Sequence, residues 1–234
     1  MNALLQSIYL AFDLILHLDP VLFGIILLSL KVSGLALLIA TVFGLPIGAA
    51  LGLKQFPCRA LAISVTNTLM GLPPVVVGLF VYLLLSRKGP LGFMGLLYSP
   101  GAMIVAQTVL AAPIVIALCH SAIVNVDPVI RQAARTLGAT PGQEMFAVIR
   151  EARYGLLSAI IAAFGRVMAE VGAILIVGGN IAGYTRVMTT AIALETDKGN
   201  FELALALGII LLLISFAINA ALHGVQKKGS VKTS

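Results

Sequence analysis

The sequence predicts an all-α membrane protein with about five transmembrane helices. Three observations carry this. Apolar residues make up 60% of the 234 and charged residues only 10%, where soluble domains carry about a quarter charged. Mean hydropathy is +1.08. Five apolar runs are each long enough to cross a hydrocarbon core of roughly 30 Å, which takes about 20 helical residues. This composition excludes a disordered chain, a disulfide scaffold and an ordinary soluble enzyme. The net charge is +6, but the basic residues sit in short gaps between apolar runs. That pattern orients a membrane protein and does not form a nucleic-acid face. Cys58 and Cys119 have no CxxC spacing, so neither a zinc site nor a disulfide framework is expected.

Residues 1–20 form an N-terminal segment too short to span comfortably. Asn2, Gln6, Asp13 and His17 recur on one helical face, which suggests a helix lying in the outer interface. A sixth, short span is the alternative. A signal peptide is disfavoured, because no Lys or Arg precedes residue 31. Residues 21–224 form one transmembrane domain with spans near 22–53, 60–86, 99–120, 155–179 and 202–222. The first span is over-long, so it tilts or uses Lys31 as an outer-interface marker. Residues 225–234 are a cytoplasmic tail.

Basic residues set the orientation. Lys54, Arg59, Arg131, Arg135, Arg150, Arg153, Lys227, Lys228 and Lys232 fall on one side. Arg87, Lys88, Arg186 and Lys198 fall on the other. The richer side is cytoplasmic, which puts the N-terminus outside and the C-terminus inside.

The gap at 121–154 is the most informative. Asp127-Pro128 is a helix start, since Asp caps free N–H groups and Pro fits the first turn. The helix reads through Arg131-Gln132-Ala133-Ala134-Arg135 and stops at Gly138, which suits a left-handed terminator. Thr140-Pro141-Gly142-Gln143 has the form of a capping box and opens a second helix. A rigid two-helix corner is expected, and rigid corners transmit displacement. A helical connector with no partner is the plainer reading.

At these residues the chain resembles ABC importer permeases. Gln132-Ala133-Ala134-x-x-x-Gly138 is similar to their EAA-x-x-x-G signature, with Gln132 in place of Glu. Leu72-Pro73-Pro74-Val75-Val76-Val77-Gly78, Glu170-Val171-Gly172-Ala173 and Gly178-Gly179-Asn180-Ile181-Ala182-Gly183 resemble the molybdate/tungstate branch. Tyr184 to Thr196 looks most like tungstate permeases. The resemblance covers nearly the whole chain from about residue 20. It implies a type I importer fold with a cytoplasmic coupling helix. Arg131, Gln132, Ala133, Ala134, Arg135 and Gly138 would then meet a cytoplasmic ATPase. It implies a homodimer, an ATPase dimer that binds ATP and Mg, an extracytoplasmic oxyanion-binding protein, and a bacterial cytoplasmic (inner) membrane location among lipid. The chain itself carries no cofactor and no catalytic or metal-binding residues in this reading.

Candidate path residues follow from intramembrane polarity. Pro73 and Pro74 lie near the middle of the second span, and irregular backbone there must be buried in protein or face a water-filled cavity. A packed structural kink is the competing reading. Thr66 and Asn67 precede them and either line a path or bond neighbouring helices. Arg166 and Glu170 stand four apart in the fourth span, where each charge costs about 2.5–3.5 kcal/mol at the bilayer centre. A structural bridge is favoured over a gating pair. Asn180 follows in the outer gap. Gly44, Gly48 and Gly52 form a double GxxxG that serves packing within the chain or between copies.

No GxxxxGK[ST] loop, HExxH or GxSxG occurs, so energy for active transport must come from another polypeptide. A secondary transporter needs several midplane acids, and only Glu170 is available. An intramembrane enzyme needs convergent catalytic groups that the sequence does not place together.

Overall fold

The computed structural model describes residues 2–16 and 20–230. His17 and Lys232, named above, lie outside them. The described residues form ten α-helices: α1 (Asn2–Leu16), α2 (Pro20–Leu53), α3 (Arg59–Met70), α4 (Pro74–Leu85), α5 (Pro100–Val124), α6 (Pro128–Thr136), α7 (Pro141–Met168), α8 (Gly172–Gly178), α9 (Met188–Asp197) and α10 (Phe201–Ser230). No strand occurs among the described residues. Three helices, α2, α5 and α10, are long and apolar enough to cross singly. The total is five when the bent pairs α3/α4 and α7/α8 each count as one span.

Two spans differ from the sequence expectation. The second is not one kinked helix. It breaks between Met70 and Pro74, and its halves meet at 100°. Two consecutive prolines each lack an N–H, and each ring restricts the residue before it. Pro73 is extended (φ −63°, ψ 124°) and Pro74 opens α4. The fourth span is also broken, at Ala169–Val171, with a bend of 58°. Its first helix begins at Pro141, well before the expected membrane boundary. Helix α9 lies in the gap between the fourth and fifth expected spans, and α10 continues through residue 230 into the segment expected as a tail.

The centre of the bundle is the pair α2 and α5, which run parallel. The double GxxxG settles against α5. A Cβ on Gly44 would lie 2.9 Å from Val115 Cγ1, one on Gly48 2.6 Å from the Ile116 carbonyl oxygen, and one on Gly52 2.7 Å from Ile123 Cγ2. These glycines therefore serve close packing within the chain. Four apolar clusters continue along the bundle. One joins α2, α4, α5 and α8 through Val32, Val77, Val81, Met103, Ala106 and Val177. At the far end Cys119 and Ile123 of α5 pack with Val148 and Ala152 of α7. Helix α1 packs against α10.

Candidate translocation path and coupling corner

The two breaks meet. Immediately after them, α4 and α8 lie in backbone contact. A Cβ on Gly172 would sit 2.8 Å from Val75 Cγ2, and one on Gly78 would sit 2.7 Å from Ala173 Cα. Only glycine admits this approach, and it draws both interruptions into one junction inside the bundle.

Glu170 lies in the second break, with 4% of its side chain exposed. Its Oε1 accepts a hydrogen bond from the Ala173 N–H at 3.0 Å, so the carboxylate caps the restarted helix. Its Oε2 is 3.6 Å from Arg166 Nη1, and 41% of the Arg166 side chain is exposed. The expected pair thus exists as a loose ion contact longer than a hydrogen bond. Two further groups tie the break to its surroundings. Thr189 Oγ1 donates to the Glu170 carbonyl at 2.8 Å, and the buried Gln107 donates through Nε2 to the Val167 carbonyl at 3.2 Å. Sequence reasoning missed both. Gln107 had a signal, as the one amide side chain within an otherwise apolar run. Thr189 had none, because its role depends on a partner nineteen positions away.

The remaining path candidates scatter. Pro73 and Pro74 form the first break and belong to the junction. Thr66 and Asn67 sit on α3, which packs against α5. Thr66 Oγ1 turns back to the Ala62 carbonyl at 2.8 Å, and Asn67 is exposed. Asn180 is in the loop between α8 and α9 with φ +50°. Its Nδ2 donates to the Thr190 carbonyl at 3.2 Å, and its Oδ1 accepts from Arg186 Nε at 3.3 Å. It braces that loop against the start of α9.

At the other end of α7 stands the two-helix corner, built as its sequence reads. Asp127 Oδ1 accepts from the Val129 N–H at 2.9 Å. Gly138 is left-handed (φ +74°), and the Ala139 N–H closes back on the Ala134 carbonyl at 3.0 Å. In the capping box, the Thr140 N–H donates to Gln143 Oε1 at 2.8 Å and the Gln143 N–H to Thr140 Oγ1 at 3.4 Å. Arg135 grips Glu144 with Nε to Oε2 at 2.8 Å and Nη2 to Oε1 at 2.9 Å. Those hydrogen bonds, aided by the charges of Arg135 and Arg131, hold the Glu144 carboxyl below its ordinary range against a smaller opposing effect of desolvation.

Helix α6 buries no residue. Val129 and Leu137 are 59% and 86% exposed and lie on one helical face with the exposed Ala133. Gln132 is exposed beside this stripe, and Ala134 is half-buried on its other flank. The corner thus holds a helix with an uncovered apolar stripe at a fixed angle.

Interrupted spans that meet inside a helical bundle, with a capped corner projecting from one end, define a multi-pass membrane transport protein. The chain matches the binding-protein-dependent transport system inner membrane component family over residues 44–228 and belongs to that family. It is 44% identical over 218 residues to the tungstate uptake system permease protein TupB of Peptoclostridium acidaminophilum, covering 93% of this chain and 96% of that one. It is 46% identical over 204 residues to a probable anion ABC transporter permease protein of Haloferax volcanii, covering 85% and 88%. Among solved structures, the MetNI methionine ABC transporter in inward-facing form aligns with a TM-score of 0.73 at 18% identity, covering 90% of this chain and 96% of that chain. That likeness shows the fold.

Proposed function

We propose that this chain is the permease subunit of an ABC importer that carries an oxyanion, tungstate, inward across the cytoplasmic membrane of a bacterium. The observation that carries this reading is the 44% identity to a tungstate uptake permease across 93% of the chain. The probable anion ABC transporter permease protein of Haloferax volcanii, at 46% identity, supports the same ligand class.

Two copies of the chain form the path, with N-termini outside and C-termini in the cytoplasm. A pair of ATPase subunits binds ATP and Mg and docks on α6 through Val129, Gln132, Ala133, Ala134 and Leu137. Gly138 sets the angle at which they dock. An extracytoplasmic binding protein delivers the anion. ATP closure pushes α6, and α7 carries the displacement to the junction at Pro73–Pro74 and Glu170. Arg166, half-exposed beside that junction, is the cation that faces the passing dianion. The chain performs no covalent chemistry and holds no cofactor in this scheme.

The test is cellular uptake at nanomolar tungstate and molybdate, followed by elemental mass spectrometry in strains with and without the chain. Selective loss of tungsten is expected. Loss of molybdenum alone would transfer the substrate assignment to molybdate. Unchanged uptake of both would refute the proposal for these oxyanions and make sulfate the next cargo to test.

A further inference from the structure

Helix α7 is unbroken from Pro141 to Met168 and bears a charged contact near each end. Glu144 lies in its first turn and Arg166 in its last. At 1.5 Å per residue they are about 33 Å apart along the axis. One rigid rod therefore reaches from the corner to the junction of the breaks.

The corner's apolar stripe and its arginines lie on opposite sides of α6. At about 100° per residue, Arg135 is rotated roughly 200° from Ala133, and Arg131 shares the Arg135 side. The stripe of Val129, Ala133 and Leu137 faces solvent. The guanidinium of Arg135 faces α7 and is committed to both oxygens of Glu144. Such a fork on a carboxylate fixes orientation as well as distance, because two parallel hydrogen bonds cannot pivot about one point. Between the helices run only Leu137 to Thr140, with a left-handed Gly138 that resists torsion poorly on its own.

We propose that the Arg135–Glu144 pair is a strut that locks α6 to α7, so that a push on the exposed face of α6 moves α7 instead of bending the corner. Arg135 is then a positioning residue for coupling and touches no ATPase. The close seat of α7 on α5, where a Cβ on Gly155 would lie 2.8 Å from Ala122 Cβ, passes the same motion to the central pair. This inference rests on the reading of α6 as the ATPase contact.

The experiment uses the assembled importer in proteoliposomes, with a cysteine at Ala133 to cross-link α6 to the ATPase. Tungsten moved per ATP hydrolysed is compared in R135Q, E144Q, R135K and the swap R135E/E144R. Either glutamine variant is expected to lower that ratio about tenfold, within the range commanded by residues that lie between coupled sites, with the cross-link intact. R135K should fall between, since it keeps the charge and loses the fork. The swap should recover most of the ratio. The strut is overturned if both glutamine variants keep the parental ratio, if R135Q alone abolishes the cross-link, or if the swap does no better than the single variants. Should a single variant fail to assemble, R135K and the swap decide. Absence of any Ala133 cross-link in the parent would instead sink the docking reading of α6.

Discussion

The two ends of α7 solve the same problem in opposite ways. At the corner, Asp127 and Thr140 cap the two helix starts with side-chain oxygens, and the left-handed Gly138 lets backbone hydrogen bonds close the end of α6. Its one ion pair is bidentate at 2.8 and 2.9 Å. At the inner break, one buried carboxylate divides itself between the Ala173 N–H at 3.0 Å and a guanidinium at 3.6 Å. The first arrangement has no slack. The second holds the half-exposed Arg166 by a single contact longer than a hydrogen bond. A rod fixed at its driven end and loosely paired at its working end can deliver motion and still exchange partners there.

The largest expected effect falls on the inner end. Glu170→Ala removes the cap and leaves the Ala173 N–H without its partner, a loss of about 1–3 kcal/mol for a buried donor. It also leaves Arg166 facing no charge. Transport should drop at least about tenfold, the factor that corresponds to roughly 1.4 kcal/mol. Glu170→Gln separates the two roles, since its amide oxygen can still accept from Ala173 while the charge is gone. It should preserve assembly and thermal stability better than alanine does, yet impair uptake. Reversing both charges, Arg166→Glu with Glu170→Arg, should recover more uptake than either reversal alone. If the double reversal recovers nothing, the loose pair has no part in transport and the contrast between the two ends loses its functional meaning.

The same contrast explains what could be read from the sequence. The corner was legible because its signals are local. Asp127-Pro128, Gly138 and Thr140-Pro141-Gly142-Gln143 each act within five residues, and the structure closes every one of those hydrogen bonds. The break at Ala169–Val171 was not legible. No proline marks it, and its cause is contact between segments nearly a hundred residues apart, where Gly172 meets Val75. The prolines at 73 and 74 announced an irregularity but not a 100° turn, because prolines limit local torsions while packing chooses the angle. Helix α9 was missed for a related reason. It is only ten residues long, and its start depends on the Val187 N–H finding the Thr190 hydroxyl at 3.1 Å. The spacing of Gly44, Gly48 and Gly52 was plain in the sequence, but which surface they met was a tertiary fact.

A smaller effect sharpens the comparison from the corner side. Thr140→Ala removes the hydroxyl half of the capping box and should cost about 1 kcal/mol, the typical value of an N-cap. Because the cap, the left-handed glycine and the ion pair are separate restraints, losing one should loosen the corner without releasing it. Hydrogen exchange at the Gln143 amide should quicken while exchange across the second half of α7 stays at the parental rate. Quickening that spread to Arg166 would show that the corner and the break are not mechanically separate ends, and the comparison would fail.

The smallest effect concerns acid. Glu144 has its carboxyl lowered from an ordinary 4.5 chiefly by the Arg135 hydrogen bonds. A carboxyl lowered on folding stabilises the folded state fully above its ordinary value, and the contribution fades as pH falls through the lowered one. From pH 8 to 6 the strut should therefore be constant, and it should weaken only below about pH 4.5, the ordinary value named above. The thermal midpoint of the parent should exceed that of Glu144→Gln at neutral pH, and the gap should close as the medium is acidified through that window. The Arg135 side chain is 69% exposed and the Glu144 side chain 16%, and a pair open to water on one side is worth little by itself, so the gap is expected to be small even though the coupling defect of the same variant is large. A geometric restraint and a stabilising interaction are different things. The corner needs Arg135 and Glu144 for direction far more than for stability, and a pH-dependent gap in the midpoint larger than the loss of coupling would reverse that assignment.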